Sequence, residues 1–273
     1  MEYSIDELKE KAKEVRIDCI KMLAEAGSGH PGGSLSTADL LTALFFNKIK
    51  RTKENASSPD RHRFVLSKGH GVPTLYAIFA QIGILSKEDL LTLRKTGSIL
   101  QGHPDYSIFP YVEASTGSLG QGLSIAQGYA LAAKLDKSPA RTYCLLGDGE
   151  IQEGQVWEAI MSAPMFKLSQ LCVILDYNKG QIDGSIEEVM GIEPLEDKLK
   201  AFNWHVITID GHNFKEILAA YDEAETNKDK PTFIIANTIK GRGVSFMEGR
   251  IDWHGSAPNK DQARQAIEEL SAK

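Results

Sequence analysis

Residues 142–184 read TYCLLGDGEIQEG, QVWEAIMSAPMFKLSQ and LCVILDYNKGQIDG, and this stretch decides the fold. Residues 143–146 are a short apolar run of the kind expected for a strand buried on both faces. Gly147-Asp148-Gly149 breaks it. Residues 157–166 carry apolar side chains at helical spacing, with Pro164 limiting or kinking that helix. Residues 171–175 form a second buried-strand run, ended by Asp176-Tyr177-Asn178-Lys179-Gly180. Strand, turn, helix, strand, turn is one βαβ unit, and thirty positions separate Asp148 from Asn178, about the length such a unit needs.

Parallel strands joined by a right-handed crossover end on the same edge of the sheet. Asp148 and Asn178 are therefore expected at neighbouring strand ends, where open α/β sheets bind ligands. A carboxylate, an amide oxygen and a glycine carbonyl make a hard oxygen set that suits Mg²⁺ or Ca²⁺ sharing phosphate and water ligands. Glycine lets the backbone approach a phosphate, and the start of the following helix adds N–H groups and positive dipole. Taken singly, GDG is only a tight turn and Asn178 only a turn residue; together they point to a metal–phosphate site. An EF-hand reading of Asp176, Asn178 and Glu187 fails, because Gln181 stands at the required glycine and a strand precedes the loop.

The rest of the chain is consistent with this unit. A length of 273 residues, 42% of them hydrophobic, suffices for one large α/β domain. A net charge of −6 leaves no general basic footprint for nucleic acid. Cys19, Cys144 and Cys172 form no CxxC or metal spacing and lie in apolar contexts, so buried reduced thiols and a cytoplasmic protein are expected. The N-terminus is charged and amphipathic, unlike a signal peptide, and no apolar run is long enough to span a membrane.

Working outward, Ser4 and Glu7 predict a capping box for a first helix that ends near Gly27. Ser28–Gly33 reads as a rigid glycine-rich turn, followed by a helix capped at Ser36 or Thr37. Residues 64–67, 204–209 and 232–236 predict further strands, and residues 72–82, 86–93, 196–202 and 214–224 predict helices. A final helix is expected from Lys260. The alternation argues for one domain over residues 1–273 with a mainly parallel sheet flanked by helices. Gly117–Gly122 opens a helix; an anion site and close helix packing are both open uses of its glycines. Three Gly-His dipeptides, at 29–30, 69–70 and 102–103, stand out in a chain with seven histidines.

Taken together, SGHPGGSLS, LSKGHG, GHPD, STGSLGQGLS, GDGEIQEGQVWEA, NKGQIDG and WHGSAP resemble the N-terminal, diphosphate-binding domain of transketolase, in that family's order. The resemblance covers about residues 16–258. It implies the thiamine diphosphate-binding fold, with Asp148, Asn178 and the Gly180 carbonyl holding Mg²⁺, Ca²⁺ or another divalent cation. It implies that the Gly149 N–H, His70 and His254 contact the diphosphate and that Gly117 and Leu119 lie against the cofactor rings. His30, His103 and His254 would face the substrate and shuttle protons, for which imidazole is suited near neutrality. Glu153 and Glu158 match acidic residues that belong to the cofactor region at the subunit interface. Ser256 is inserted where the family usually reads H-G-A-P.

Transketolases are usually more than twice this length, and the pyrimidine-binding and C-terminal domains have no counterpart here. The resemblance therefore implies the N-terminal subunit of a split transketolase of the pentose phosphate pathway. Without a separate C-terminal subunit it would be inactive. Two such pairs would join as a dimer of heterodimers, a heterotetramer. The assembly would move a two-carbon ketol unit from a ketose phosphate to an aldose phosphate, with no nucleic acid or membrane partner. The alternatives are a split enzyme using another sugar donor, a 2-oxo-acid enzyme, against which the histidines argue, and a non-catalytic cofactor- or partner-binding module.

Overall fold

A computed structural model describes residues 2–272. Five strands form one sheet: β1 (Arg63–Leu66), β2 (Thr142–Gly147), β3 (Leu171–Tyr177), β4 (His205–Asp210) and β5 (Thr232–Asn237). Their order is β1-β2-β3-β5-β4, and every pairing is parallel. The helices are α1 (Ile5–Ala26), α2 (Pro31–Ser36), α3 (Ala38–Ala43), α4 (Val72–Gln81), α5 (Lys87–Leu90), α6 (Gln121–Leu135), α7 (Gly154–Met165), α8 (Ile186–Met190), α9 (Leu195–Ala201), α10 (Phe214–Thr226) and α11 (Lys260–Ser271).

Side chains alternate across a strand, so a sheet covered on both faces needs apolar residues at every position. Strands β2 and β3 meet that demand over residues 143–146 and 171–175 and are buried throughout. Tyr143, Leu145, Cys172, Ile174 and Ile234 pack into one core with α1, α3, α4 and α10. Cys144, Leu146, Val173, Leu175 and Phe233 pack into a second core with α6, α7 and α9. Among the described residues no helix is long and apolar enough to cross a membrane.

The α1 capping box forms as read from Ser4 and Glu7, and Gly27 closes the helix in the left-handed conformation. Helix α7 runs to Met165 with Pro164 in its last turn; the Ile160 carbonyl, to which Pro164 has no N–H to donate, accepts Trp204 Nε1 at 2.8 Å instead.

Two local expectations are corrected. The turn expected over residues 28–33 stops short of Pro31, which opens helix α2 at its first position, where proline is pre-organised. Thr37 stands at the N-cap of α3 as expected but makes no side-chain cap bond: its Oγ1 donates back to the Gly33 and Ser34 carbonyls, and Ser36 Oγ bonds Asp176 at 2.7 Å. The helix expected over residues 86–93 is only the single turn α5, after which Arg94 takes a positive φ of 61°.

Candidate functional site

All four strands that border the site deliver polar residues to one edge of the sheet. Gly147 of β2 lies opposite Asp176 of β3, so Asp148 and Asn178 leave adjacent strand ends. Lys68 follows β1, and Thr238 and Lys240 follow β5. A cavity of about 350 Å³ opens at this edge, lined by His30, His70, His103 and His254, by Gly117 and Leu119, and by Asp148, Gly149, Glu153, Asn178 and Gly180. Glu158 is the one candidate residue that does not line it and lies exposed on α7. A roomier hollow between α1 and α5 holds no such residues, and its Asp18 and Lys87 are already paired.

Asp148 is buried, and among the described residues no Lys or Arg side-chain nitrogen lies within ion-pair distance of it. Its carboxylate accepts the N–H of Gly149 at 2.8 Å and of Lys179 at 2.5 Å. Burial, and then the charge of Asp176, push its pKa up to about 6. A buried carboxylate in that state favours a nearby cation. Asn178 Oδ1 accepts the Gly180 N–H at 3.2 Å, which turns the loop back on itself. Among the described residues no three His, Cys, Asp or Glu side chains cluster as metal ligands. The Asp148 carboxylate with the neutral oxygens of Asn178 and Gly180 beside it is a set that suits a hard cation drawing its other ligands from phosphate and water. The residues fit such a group.

The four imidazoles form one wall. Ring centroids lie 5.1 Å apart for His30–His70, 5.6 Å for His30–His254, 5.3 Å for His70–His254 and 6.2 Å for His30–His103. Burial is the main cause that lowers every one of their pKa values. His30 falls to about 4, with Arg94 the next cause, and His254 to about 3, with Lys240 next. His70 lies well below the usual range, with Lys68 adding to burial, and His103 is lowered by burial and then Arg94. The wall is therefore neutral at pH 7. Lys240 Nζ sits 3.2 Å from His254 Nδ1, and an ammonium can only donate, so the His254 proton resides on Nε2. His30 Nδ1 is buried without a hydrogen-bond partner, as a group awaiting a ligand would be.

Three charged residues here were missed in the sequence. Lys68 and Asp176 form a buried ion pair, and Lys240 is buried beside them, its pKa lowered to about 8 by burial and then by Lys68. The available signal for the two lysines was a Lys-Gly step within three residues of the end of an apolar strand, at 68–69 and again at 240–241. Glu150 was also missed. It is buried and accepts Ser67 Oγ at 2.5 Å and the Gly120 and Gly147 N–H groups at 3.0 Å, which joins β1, β2 and the start of α6. In the first turn of α6, Gly122 packs so close to Ser67 that a Cβ would stand 2.5 Å from its side chain, so close helix packing is its use.

The family described as "Transketolase, thiamine diphosphate binding domain" matches residues 8–273. The chain is 45% identical to the 6-deoxy-6-sulfo-D-fructose transketolase subunit of Clostridium sp. (strain MSTE9), covering 98% of each. It is 39% identical to one of the subunits of the apulose-4-phosphate transketolase of Phocaeicola vulgatus, covering 98% of this chain and 95% of that one. Human transketolase is 43% identical, but the match covers 98% of this chain and only 43% of the human one. The structure of Campylobacter jejuni transketolase superimposes with a TM-score of 0.93 at 35% identity, over 98% of this chain and 43% of that one.

Proposed function

The chain belongs to the transketolase family, and on that premise we propose that it is the diphosphate-binding subunit of a split, thiamine diphosphate-dependent transketolase. The observation that carries the reading is the juxtaposition of a cation-seeking Asp148 with a neutral histidine wall across one cavity. The chain spans less than half of human transketolase but nearly all of two relatives that are named as subunits. A separate C-terminal subunit, carrying pyrimidine-binding and C-terminal domains, completes the active unit, and two such pairs assemble with Glu153 and Glu158 near the contact. Buried reduced cysteines suit a cytoplasmic location.

In this reading Asp148, Asn178 and the Gly180 carbonyl would hold Mg²⁺ or another divalent cation, whose charge would offset that of a diphosphate. Thiamine diphosphate, when bound, would supply the nucleophilic carbon needed for ketol transfer; the protein supplies binding, orientation and electrostatics. Lys240, His70 and the Gly149 N–H line the cavity where they would bind the diphosphate, and Gly117 and Leu119 where they would pack on the cofactor rings. His254, its proton fixed on Nε2 by Lys240, and His30 and His103 face the sugar hydroxyls. Neutral imidazoles both donate and accept, which is what moving a proton on and off a sugar oxygen requires.

The test is an assay of the purified chain with thiamine diphosphate, Mg²⁺, xylulose 5-phosphate and ribose 5-phosphate. No turnover is expected from the chain alone, and turnover is expected once the partner subunit is added. Robust activity without a partner defeats the split reading. Repeating the assay with 6-deoxy-6-sulfo-fructose and apulose 4-phosphate separates the pentose phosphate reaction from the reactions named for the two subunit relatives. Cofactor binding with no activity under any partner and donor identifies a binding module instead.

A further inference from the structure

Two of the three Gly-His dipeptides share a neighbour. Arg94 leaves the α5 turn in the left-handed region, uncommon for a residue with a side chain, and its N–H donates to the Leu100 carbonyl at 2.9 Å. Its side chain then lies between two glycines. Nη2 is 3.4 Å from the Gly102 carbonyl oxygen, and a Cβ on Gly102 would overlap the guanidinium. On the other side, a Cβ on Gly29 would stand 3.5 Å from Nε. Gly102 precedes His103, and the absence of its side chain makes the room that the guanidinium fills; Gly29 precedes His30 and lies within ordinary contact distance of the same guanidinium, its own missing side chain making room for Leu23 instead. Among the described residues no carboxylate pairs with Arg94.

We propose that Arg94 is a positioning residue of the site: its guanidinium clamps the Gly29–His30 and Gly102–His103 segments together and presents positive charge to both imidazoles. The proposal rests on the reading of His30 and His103 as proton-handling groups. The charges that face His30 are Arg94, Lys68 and Lys240, with His70, His103 and His254 as ring neighbours; those that face His103 are Arg94 and His30. After burial, Arg94 is the first cause that lowers both pKa values. A nearby positive charge disfavours imidazolium, so Arg94 keeps the pair neutral and able to accept a proton. Its planar fork also suits packing on two backbones in a way that a lysine point charge does not.

Arg94→Gln and Arg94→Lys test this with two readouts. In the chain alone, NMR titration of His30 and His103 should show both pKa values raised in Arg94→Gln and returned toward wild type in Arg94→Lys. In the reconstituted complex, the acid limb of kcat/KM should move to higher pH in Arg94→Gln, with kcat down roughly 10-fold from loop misplacement. Arg94→Lys should restore the acid limb but not the full kcat. Unmoved titrations in Arg94→Gln overturn the proposal. Moved titrations with an unmoved acid limb leave Arg94 in place and defeat the proton-handling reading of the two histidines instead. Arg94 is exposed, so the fold should tolerate both variants. Gly102→Ala, which drives the guanidinium out of its slot without removing it, should reproduce the Arg94→Gln titration shift.

Discussion

Lys68 Nζ lies 2.6 Å from Asp176 Oδ2, and neither side chain is more than 2% exposed. The pair sits beneath the cavity and ties the ends of three strands together. Asp176 also accepts Ser36 Oγ of α2, Thr238 Oγ1 after β5 and Asn178 Nδ2, so one carboxylate organises four segments.

Removing one partner of a buried pair strands the other charge, which costs about 3–5 kcal/mol. Asp176→Asn is therefore expected to lower the urea unfolding free energy by about 3 kcal/mol or more. The Lys68→Met, Asp176→Leu double variant should lose less, because no uncompensated charge remains. A double variant less stable than the single one would contradict this account.

The same pair shows where sequence reading stops. The strands were legible because runs such as 143–146 and 171–175 are apolar at every position, which only a doubly covered sheet requires. Asp148 and Asn178 were legible because each ends such a run. Lys68 and Asp176 were not, because a buried ion pair 108 residues apart looks in sequence like two polar turn residues. Helix α2 was hidden for a related reason. Gly32 reads as a breaker, yet it is glycine because a Cβ would come 2.7 Å from Lys240 Cγ and 2.8 Å from the Trp253 carbonyl. Tertiary contact, not local conformation, chose that residue. Arg94 carries no motif at all and gains meaning only from the two glycines folded against it.

Asp148→Ala is expected to abolish cofactor-dependent activity in the reconstituted complex. It should also erase the rise in Tm that thiamine diphosphate with Mg²⁺ gives the wild-type chain, since a ligand stabilises only the state that binds it. The thermal shift reads binding independently of turnover. Wild-type activity for this variant at low metal removes the metal assignment.

Asp39 makes a prediction about acid stability. Burial alone would raise its pKa, but the charge of Arg16, with two hydrogen bonds at 2.9 and 2.6 Å, and the bond from His212 at 2.8 Å outweigh that and hold it at about 2. His212 Nε2 accepts the Ile239 N–H, so its Nδ1 carries the proton given to Asp39. A lowered carboxyl pKa adds stability that is present above the unfolded value and disappears as pH falls through the folded one. The contribution is about 2 kcal/mol. The stability gap between wild type and Asp39→Asn should thus be full at pH 5 and shrink toward pH 2. A gap that stays constant over that range in urea titrations refutes the assignment.

The cysteines offer a probe of the sheet itself. Cys19, Cys144 and Cys172 are wholly buried. Burial pushes Cys19 and Cys172 up to about 12 and Cys144 well above the usual thiol range. The thiolate is the reactive form, so none of the three should react with an aromatic disulfide reagent at pH 7.5 until the fold opens. Cys144 and Cys172 lie in β2 and β3, the strands that end in Asp148 and Asn178, on opposite faces of the sheet. Labelling of either one requires these strands to separate from a core, which is close to global unfolding. Their labelling rates should therefore match each other and fall together when thiamine diphosphate and Mg²⁺ bind at the strand ends. Cys19, in α1, should follow them if the domain opens as one unit. Rapid labelling of Cys144 or Cys172 in the native chain, or protection of only one of them by the cofactor, would show that the two strands do not form a single cooperative floor for the site.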